Sequence, residues 1–336
     1  MKDRCRAAWL MAILALALAL LPFCCPPLPQ SGLDKPVRLH NAAWLGVEWV
    51  DEPHAASEIV ALADGLRAKY IDTLYVYTSY MRLDGSFGDS YEYAGEFVTR
   101  LKAAYPQVCI QAWIGLPLEQ KGPSFWEGYV DLSQPRSRQT IVSFCDELVH
   151  TVGFDGIHLD PEPVTSGDTF VLALLEEIRS EIGERPVLSI ASRRIFSFEN
   201  GLLARPLSVL AWSPSYYQAV AARVNEVALM TYDTMLPLPA LYRLWTRRQV
   251  VEITQALAGG KVRVFIGVPT SEEKTLTHFP KAENMASGLT GVLDGLASNS
   301  ARPEVVTGVA VYPFWETDAA EWGTYEHLWL DKYRGL

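Results

Sequence analysis

The sequence predicts a single α/β domain, a parallel (β/α)8 barrel, on three observations. From residue 40 onward, short apolar runs rich in β-branched and aromatic residues alternate with longer segments of helical periodicity. Eight runs of each kind can be marked out. The fourth run, Phe154 to Pro163, ends in acidic residues, and the C-terminal ends of the strands are where barrels of this kind carry their chemistry.

In chain order the strands are expected at Ala43–Trp49, Thr73–Thr78, Val108–Trp113, Gly156–Asp160, Val187–Ala191, Glu226–Tyr232, Arg263–Val268 and Gly308–Tyr312. The helices are expected at Ala55–Lys69, Tyr93–Ala104, Arg136–Val152, Thr169–Ile182, Pro214–Val224, Leu238–Ala258, Ala282–Leu296 and Trp322–Tyr333. Apolar residues at i, i+4 and i+8, as in Phe170, Leu174 and Ile178, suit helices lying on a sheet. Ser213-Pro214 supplies a cap and a first-turn proline, and Gly259-Gly260 a stop. An open doubly wound sheet is the competing architecture. It is disfavoured because no Gly-rich phosphate loop follows the first strand. No repeat of fixed period and no interior linker appears, so one barrel domain is expected over 38–336.

The N-terminus reads as a targeting segment. Lys2, Arg4 and Arg6 form a basic front, and Ala7 to Leu21 follows without a charge. Residues 1–25 are therefore expected to be a signal peptide or a membrane anchor, and 26–37, rich in Pro, Ser and Gly, a tether. The protein would then be secreted, periplasmic or anchored facing outside the cytoplasm. Cys5, Cys24 and Cys25 fall in this region, leaving Cys109 and Cys145 as either a pair or two buried thiols. The formal net charge is −10, and no run of Lys and Arg occurs in the body. Both features argue against binding the backbone of a nucleic acid.

Along a strand, side chains alternate between faces. His158, Asp160 and Glu162 thus share one face, with Ile157 and Leu159 on the other. Crowded carboxylates repel, so at least one should hold its proton to higher pH, as a general acid requires. The same three residues are also chemically suited to a metal, but no second histidine occupies another strand end with suitable spacing. Trp49, Trp113, Tyr75 and Tyr77 lie near strand ends, where they would either line a cleft or pack the barrel. Arg193 and Arg194, after the fifth strand, read as solvated surface, the alternative being that one of them reaches an anionic substituent. The segment from Leu116 to Gln134, with Trp126 and Tyr129, reads as a long loop over the cleft.

Taken together, Asp155, Gly156, His158, Asp160 and Glu162, then Met230, Tyr232 and Asp233, then Trp315 resemble glycoside hydrolase family 18, the chitinase-like TIM barrels. That family carries D-G-x-D-x-D-x-E on its fourth strand, M-x-Y-D on its sixth and a tryptophan after its eighth. The resemblance implies an exported glycosidase that cleaves β-linked N-acetylhexosamine glycans, of chitin or peptidoglycan type, with no cofactor and no metal. Glu162 would be the general acid. Asp160 and Tyr232 would hold the substrate's own 2-acetamido group while it attacks the anomeric carbon, a substrate-assisted variant of retaining hydrolysis. Asp233, Trp315, Met230 and His158 would contact substrate, with Trp315 as the apolar floor. The chain departs from the pattern at His158, where the family has an aspartate. A histidine there is expected to hold Asp160 ionised and to make activity follow its own titration. The alternative is an inactive, carbohydrate-binding or scaffold protein on the same barrel.

Overall fold

The computed structural model describes residues 40–334 apart from 89, 120–127 and 197–210. The expected targeting segment, tether and Trp126 therefore lie outside the described residues. Among those described, no helix is long and apolar enough to cross a membrane.

Eight parallel strands close into a barrel in sequence order. They are β1 (Asn41–Leu45), β2 (Ile71–Tyr80), β3 (Cys109–Pro117), β4 (Gly156–Glu162), β5 (Val187–Ser192), β6 (Glu226–Leu229), β7 (Arg263–Pro269) and β8 (Val306–Tyr312). The main helices are α1 (Ala56–Ala68), α2 (Ala94–Ala104), α3 (Pro135–Glu147), α4 (Thr169–Ile182), α5 (Pro214–Ala221), α6 (Pro239–Ala256), α7 (Met285–Leu296) and α8 (Ala319–Tyr325). Period-two alternation sorts the strand residues. Ala43, Leu45, Leu74, Ile157 and Leu159 face outward into the layer packed by the helices. Ala42, Trp44, Tyr75, Trp113, Phe265 and Ala310 fill the barrel interior.

Local chemistry explains the boundaries. Asp168 caps α4 by accepting from the amides of Phe170 and Val171, and Ser213 caps α5 ahead of Pro214. Gly156 opens β4 where a Cβ would lie 2.1 Å from the Val187 carbonyl oxygen, so only glycine allows β5 to approach. Two expected strands are shorter than the sequence pattern. β1 stops at Leu45, and Glu48–Asp51 forms a helical turn instead. This carries Trp49 away from the barrel mouth, where it stacks on His54 at 4.5 Å. β6 stops at Leu229, and the loop that follows carries positive φ at Asp233 and Met235, 55° and 64°. The helix expected from Ala282 begins at Met285, capped by Asn284. Cys109 and Cys145 are both free thiols.

Candidate active site

The register of β4 decides where the acidic run points. His158 pairs with Trp113 and Ser189, Asp160 with Gly115, and Glu162 with Pro117. All three side chains face inward at successive heights. His158 lies lowest and is fully buried. Asp160 and Glu162 rise above it and line a cavity of about 570 Å³ at the mouth. Trp44, Trp113, Met230, Tyr232, Asp233 and Tyr312 line the same cavity.

The two carboxyls are held differently. One Asp160 oxygen, Oδ2, accepts from Trp113 Nε1 at 3.0 Å. The other, Oδ1, is buried and has no hydrogen-bond partner. Burial lifts the Asp160 pKa to about 6, opposed by the Trp113 hydrogen bond. Glu162 rises further, to about 8, first through burial and then through the charge of Asp160. Arg193 and Arg194 oppose that rise. The sequence argument from repulsion alone therefore identified the smaller cause; removal from water is the larger one. Asp160 ionises first and Glu162 keeps its proton through neutral pH.

Tyr232 sits just past the end of β6 and is nearly buried. It stacks on Tyr312 with centroids 4.9 Å apart and planes 10° apart, and presents its edge toward Trp44. Burial holds its phenol well above the usual value, so it stays a hydroxyl donor. Asp233 accepts from Thr277 Oγ1 at 3.4 Å and lies 3.9 Å from His278 Nδ1. His278 in turn lies 3.5 Å from the buried Glu283, which accepts from the backbone amide and hydroxyl of Thr234. This network ties the loop after β6 to the loop after β7. It also explains the two positive-φ residues as parts of an over-determined wall.

The structure corrects three expectations. His158 neither lines the cavity nor holds Asp160 ionised. Trp44 Nε1 donates to its Nε2 at 3.2 Å, and its Nδ1 lies 2.7 Å from Ser189 Oγ. Ser189 donates to Gln111 at 2.5 Å, and Gln111 donates to Glu226 at 2.8 Å, which pairs with Arg263. The chain of donors runs one way, leaving Nε2 as an acceptor and the proton on Nδ1. Burial pushes the imidazole pKa well below its usual value, so the ring is neutral and packs 3.7 Å from the Tyr75 ring. Both ring nitrogens are occupied by protein groups, which leaves none to share a metal with the carboxyls above. Among the described residues no group of His, Cys, Asp and Glu is placed to hold one.

Trp315 is the second correction. It follows β8 on a 3₁₀ turn, is 47% exposed and meets Tyr312 edge-on at 6.0 Å, outside the cavity lining. The aromatic surfaces that line the cavity are Trp44, Trp113, Tyr232 and Tyr312. Third, Arg193 and Arg194 line the cavity as well and are not solvated surface. Of the other aromatic candidates, Tyr75 lies below, beside His158, and Tyr77 packs edge-on against Trp113. Tyr129 donates to the Met81 carbonyl oxygen at 2.8 Å. Trp44, Tyr312, Met235 and Leu276 also line the cavity. Their only signal in the sequence was a position near a strand end, and Leu276 lacked even that.

Neutral His158 makes a clear prediction. His158→Asn should leave both limbs of the pH–activity profile in place while lowering turnover about tenfold, because Trp44 loses its acceptor. A profile whose limbs move in step with this substitution would contradict the neutral assignment.

The closed (β/α)8 fold is shared with solved structures of chitinases and of a spore cortex-lytic enzyme. No protein-family model and no curated protein matches the chain. Solved structures do. The spore cortex-lytic enzyme SleL of Bacillus cereus aligns with a TM-score of 0.57 at 13% identity, over 87% of this chain and 74% of that one. A class V chitinase mutant from Cycas revoluta, in complex with (GlcNAc)3, aligns with a TM-score of 0.57 at 15% identity, over 86% and 99%. A chitinase from Rhizomucor miehei aligns with a TM-score of 0.55 at 15% identity, over 87% and 99%.

Proposed function

We propose that the protein is a glycoside hydrolase acting on β-linked N-acetylhexosamine glycans, with Glu162 as general acid. The observation that carries this reading is the pairing of a proton-bearing Glu162 with a more acidic Asp160, two residues apart on one strand face, lining the same cavity as Tyr232. Pairs of titratable groups whose surroundings push their pKa values apart divide acid from base work.

The chemistry follows from the donors and acceptors present. Glu162 gives its proton to the glycosidic oxygen as the bond to the anomeric carbon breaks. The 2-acetamido oxygen of the same sugar closes on that carbon, forming an oxazolinium ring, and its N–H becomes more acidic. Asp160 has a buried acceptor oxygen without a partner, which such an N–H would satisfy. Its negative charge favours the developing cation in a site shielded from water. Tyr232 donates its hydroxyl to the acetamido oxygen and orients it. Water, activated by the Glu162 carboxylate, then opens the ring with retention.

The binding-only alternative draws on His158 and on the lack of a separate binding module in the sequence. That residue lies beneath the cavity and its substitution for aspartate leaves both upper carboxyls in place. Similar solved structures bind (GlcNAc)3 or are cortex-lytic, which supports a carbohydrate ligand. The basic front and charge-free run before residue 22 support action outside the cytoplasm. The test is hydrolysis of N-acetylglucosamine tetramer followed by NMR of the newly formed reducing end. The β-anomer should appear first, and a fully deacetylated tetramer should resist cleavage. Equal turnover of acetylated and deacetylated tetramers would refute the acetamido-assisted route.

A further inference from the structure

In the proposed hydrolysis Asp160 has two tasks: to carry negative charge and to offer one oxygen to the acetamido N–H. The neighbour beneath it on the same face arranges neither. Both ring nitrogens of His158 are engaged elsewhere, Nε2 by Trp44 and Nδ1 by Ser189. Across the ladder Asp160 pairs with Gly115, which has no side chain to offer. The donor comes from one tier lower on β3. Trp113 pairs with His158, and its indole Nε1 reaches Asp160 Oδ2 at 3.0 Å.

That indole is seated firmly. Tyr77 meets it edge-on at 4.9 Å and Tyr312 at 6.3 Å, and Trp113 is buried against them. An indole N–H donates and cannot accept. The oxygen that faces it, Oδ2, is therefore an acceptor whether or not Asp160 is ionised. Oδ1, buried and without a hydrogen-bond partner, is left to take a proton at low pH and to meet a substrate N–H at higher pH. Because a carboxylate is planar, a fixed donor on one oxygen also sets the direction of the other. A hydrogen bond to an ionised acceptor is stronger than one to a neutral acceptor. The contact thus favours the charged form and opposes the burial that lifts the Asp160 pKa to about 6.

We propose that Trp113 is the positioning residue for Asp160: its indole N–H pins one carboxylate oxygen and leaves the other for the acetamido N–H of the reacting sugar. This inference rests on the glycosidase reading. It gives Trp113 a task beyond the apolar lining of the cavity. The two interior tryptophans divide the work, the Trp44 N–H serving His158 and the Trp113 N–H serving Asp160. An indole neither releases nor takes up a proton near neutral pH, so this partner orients the carboxylate and leaves its charge whole.

Two variants test the assignment. Trp113→Phe removes the N–H together with part of the ring. Site-specific replacement of Trp113 by benzothienylalanine exchanges the N–H for sulfur and keeps the shape. With N-acetylglucosamine tetramer, the sulfur variant should lose about 10- to 100-fold in kcat while KM stays near the wild-type value. Its acidic limb should move up by about one pH unit from near pH 6, because the ionised carboxylate has lost a donor. Trp113→Phe should show the same shift with a raised KM, since it also thins the cavity wall. An acidic limb that stays in place in the sulfur variant, whatever happens to kcat, would overturn the proposal. Carbon NMR of the Asp160 carboxyl makes the comparison without substrate. Its titration midpoint should rise in both variants, and midpoints equal to wild type would refute the pinning. If wild type cleaves no glycan, the glycosidase reading fails by itself, and the midpoints still decide whether the indole holds Asp160.

Discussion

Glu162→Gln should lower turnover of N-acetylglucosamine tetramer by about 10³-fold, within the range that a positioned general acid supplies. Glutamine keeps the size and the hydrogen-bonding capacity of the side chain but has no proton to give, so binding of the tetramer should survive. The same substitution should raise stability in a defined pH window. The folded-state pKa of Glu162, about 8, lies above its ordinary value of 4.5, so between those values the native state holds a proton that the unfolded chain has released. Stability falls as pH rises through that interval, because ionising a carboxyl in this buried place is unfavourable. Glutamine never ionises. The variant and wild type should therefore unfold alike below about pH 4, and the variant should be the more stable above about pH 8. Thermal unfolding followed across this range checks the sign. A variant that is destabilised at high pH would mean that Glu162 is stabilised as a carboxylate, and that would remove it as the acid.

Asp160→Asn should be nearly as damaging, by about 10² to 10³-fold in kcat, since it removes a preorganised charge facing the developing cation. Its pH profile carries the sharper information. In wild type the acidic limb should fall near pH 6, where Asp160 takes up a proton, and the alkaline limb near pH 8, where Glu162 loses one. The asparagine variant should lose the acidic limb. Its alkaline limb should also move to lower pH, because the Asp160 charge is one of the causes that lift Glu162. A residual activity with both limbs in place would show that a different group controls the acidic side.

Much of this site could be seen along the chain. The alternation of Ile157 and Leu159 with His158, Asp160 and Glu162 is a property of extended backbone, and the barrel uses it as expected, with the two carboxyls at the mouth. Asp160 and Glu162 were visible together because they sit on one strand. Tyr232 and Met230 were visible only through a resemblance of motif, since nothing local tells which loop after β6 folds inward. Trp315 shows the limit of such a motif. The 3₁₀ turn after β8 carries it outside the cavity lining, while Tyr312 takes the position inside.

Alternation of side chains, spacing of apolar residues and cap signals are local, so the sequence alone determined the eightfold β/α order, the inward face of β4 and the presence of two carboxyls on it. The ionisation of those carboxyls, the neutrality of His158 and the inward turn of Arg193 and Arg194 were decided only by tertiary structure. Each depends on how much water remains around a group and on which charges the closed barrel brings beside it from other strands. Desolvation and long-range electrostatics are properties of the enclosed space, and no stretch of chain contains them before the barrel shuts.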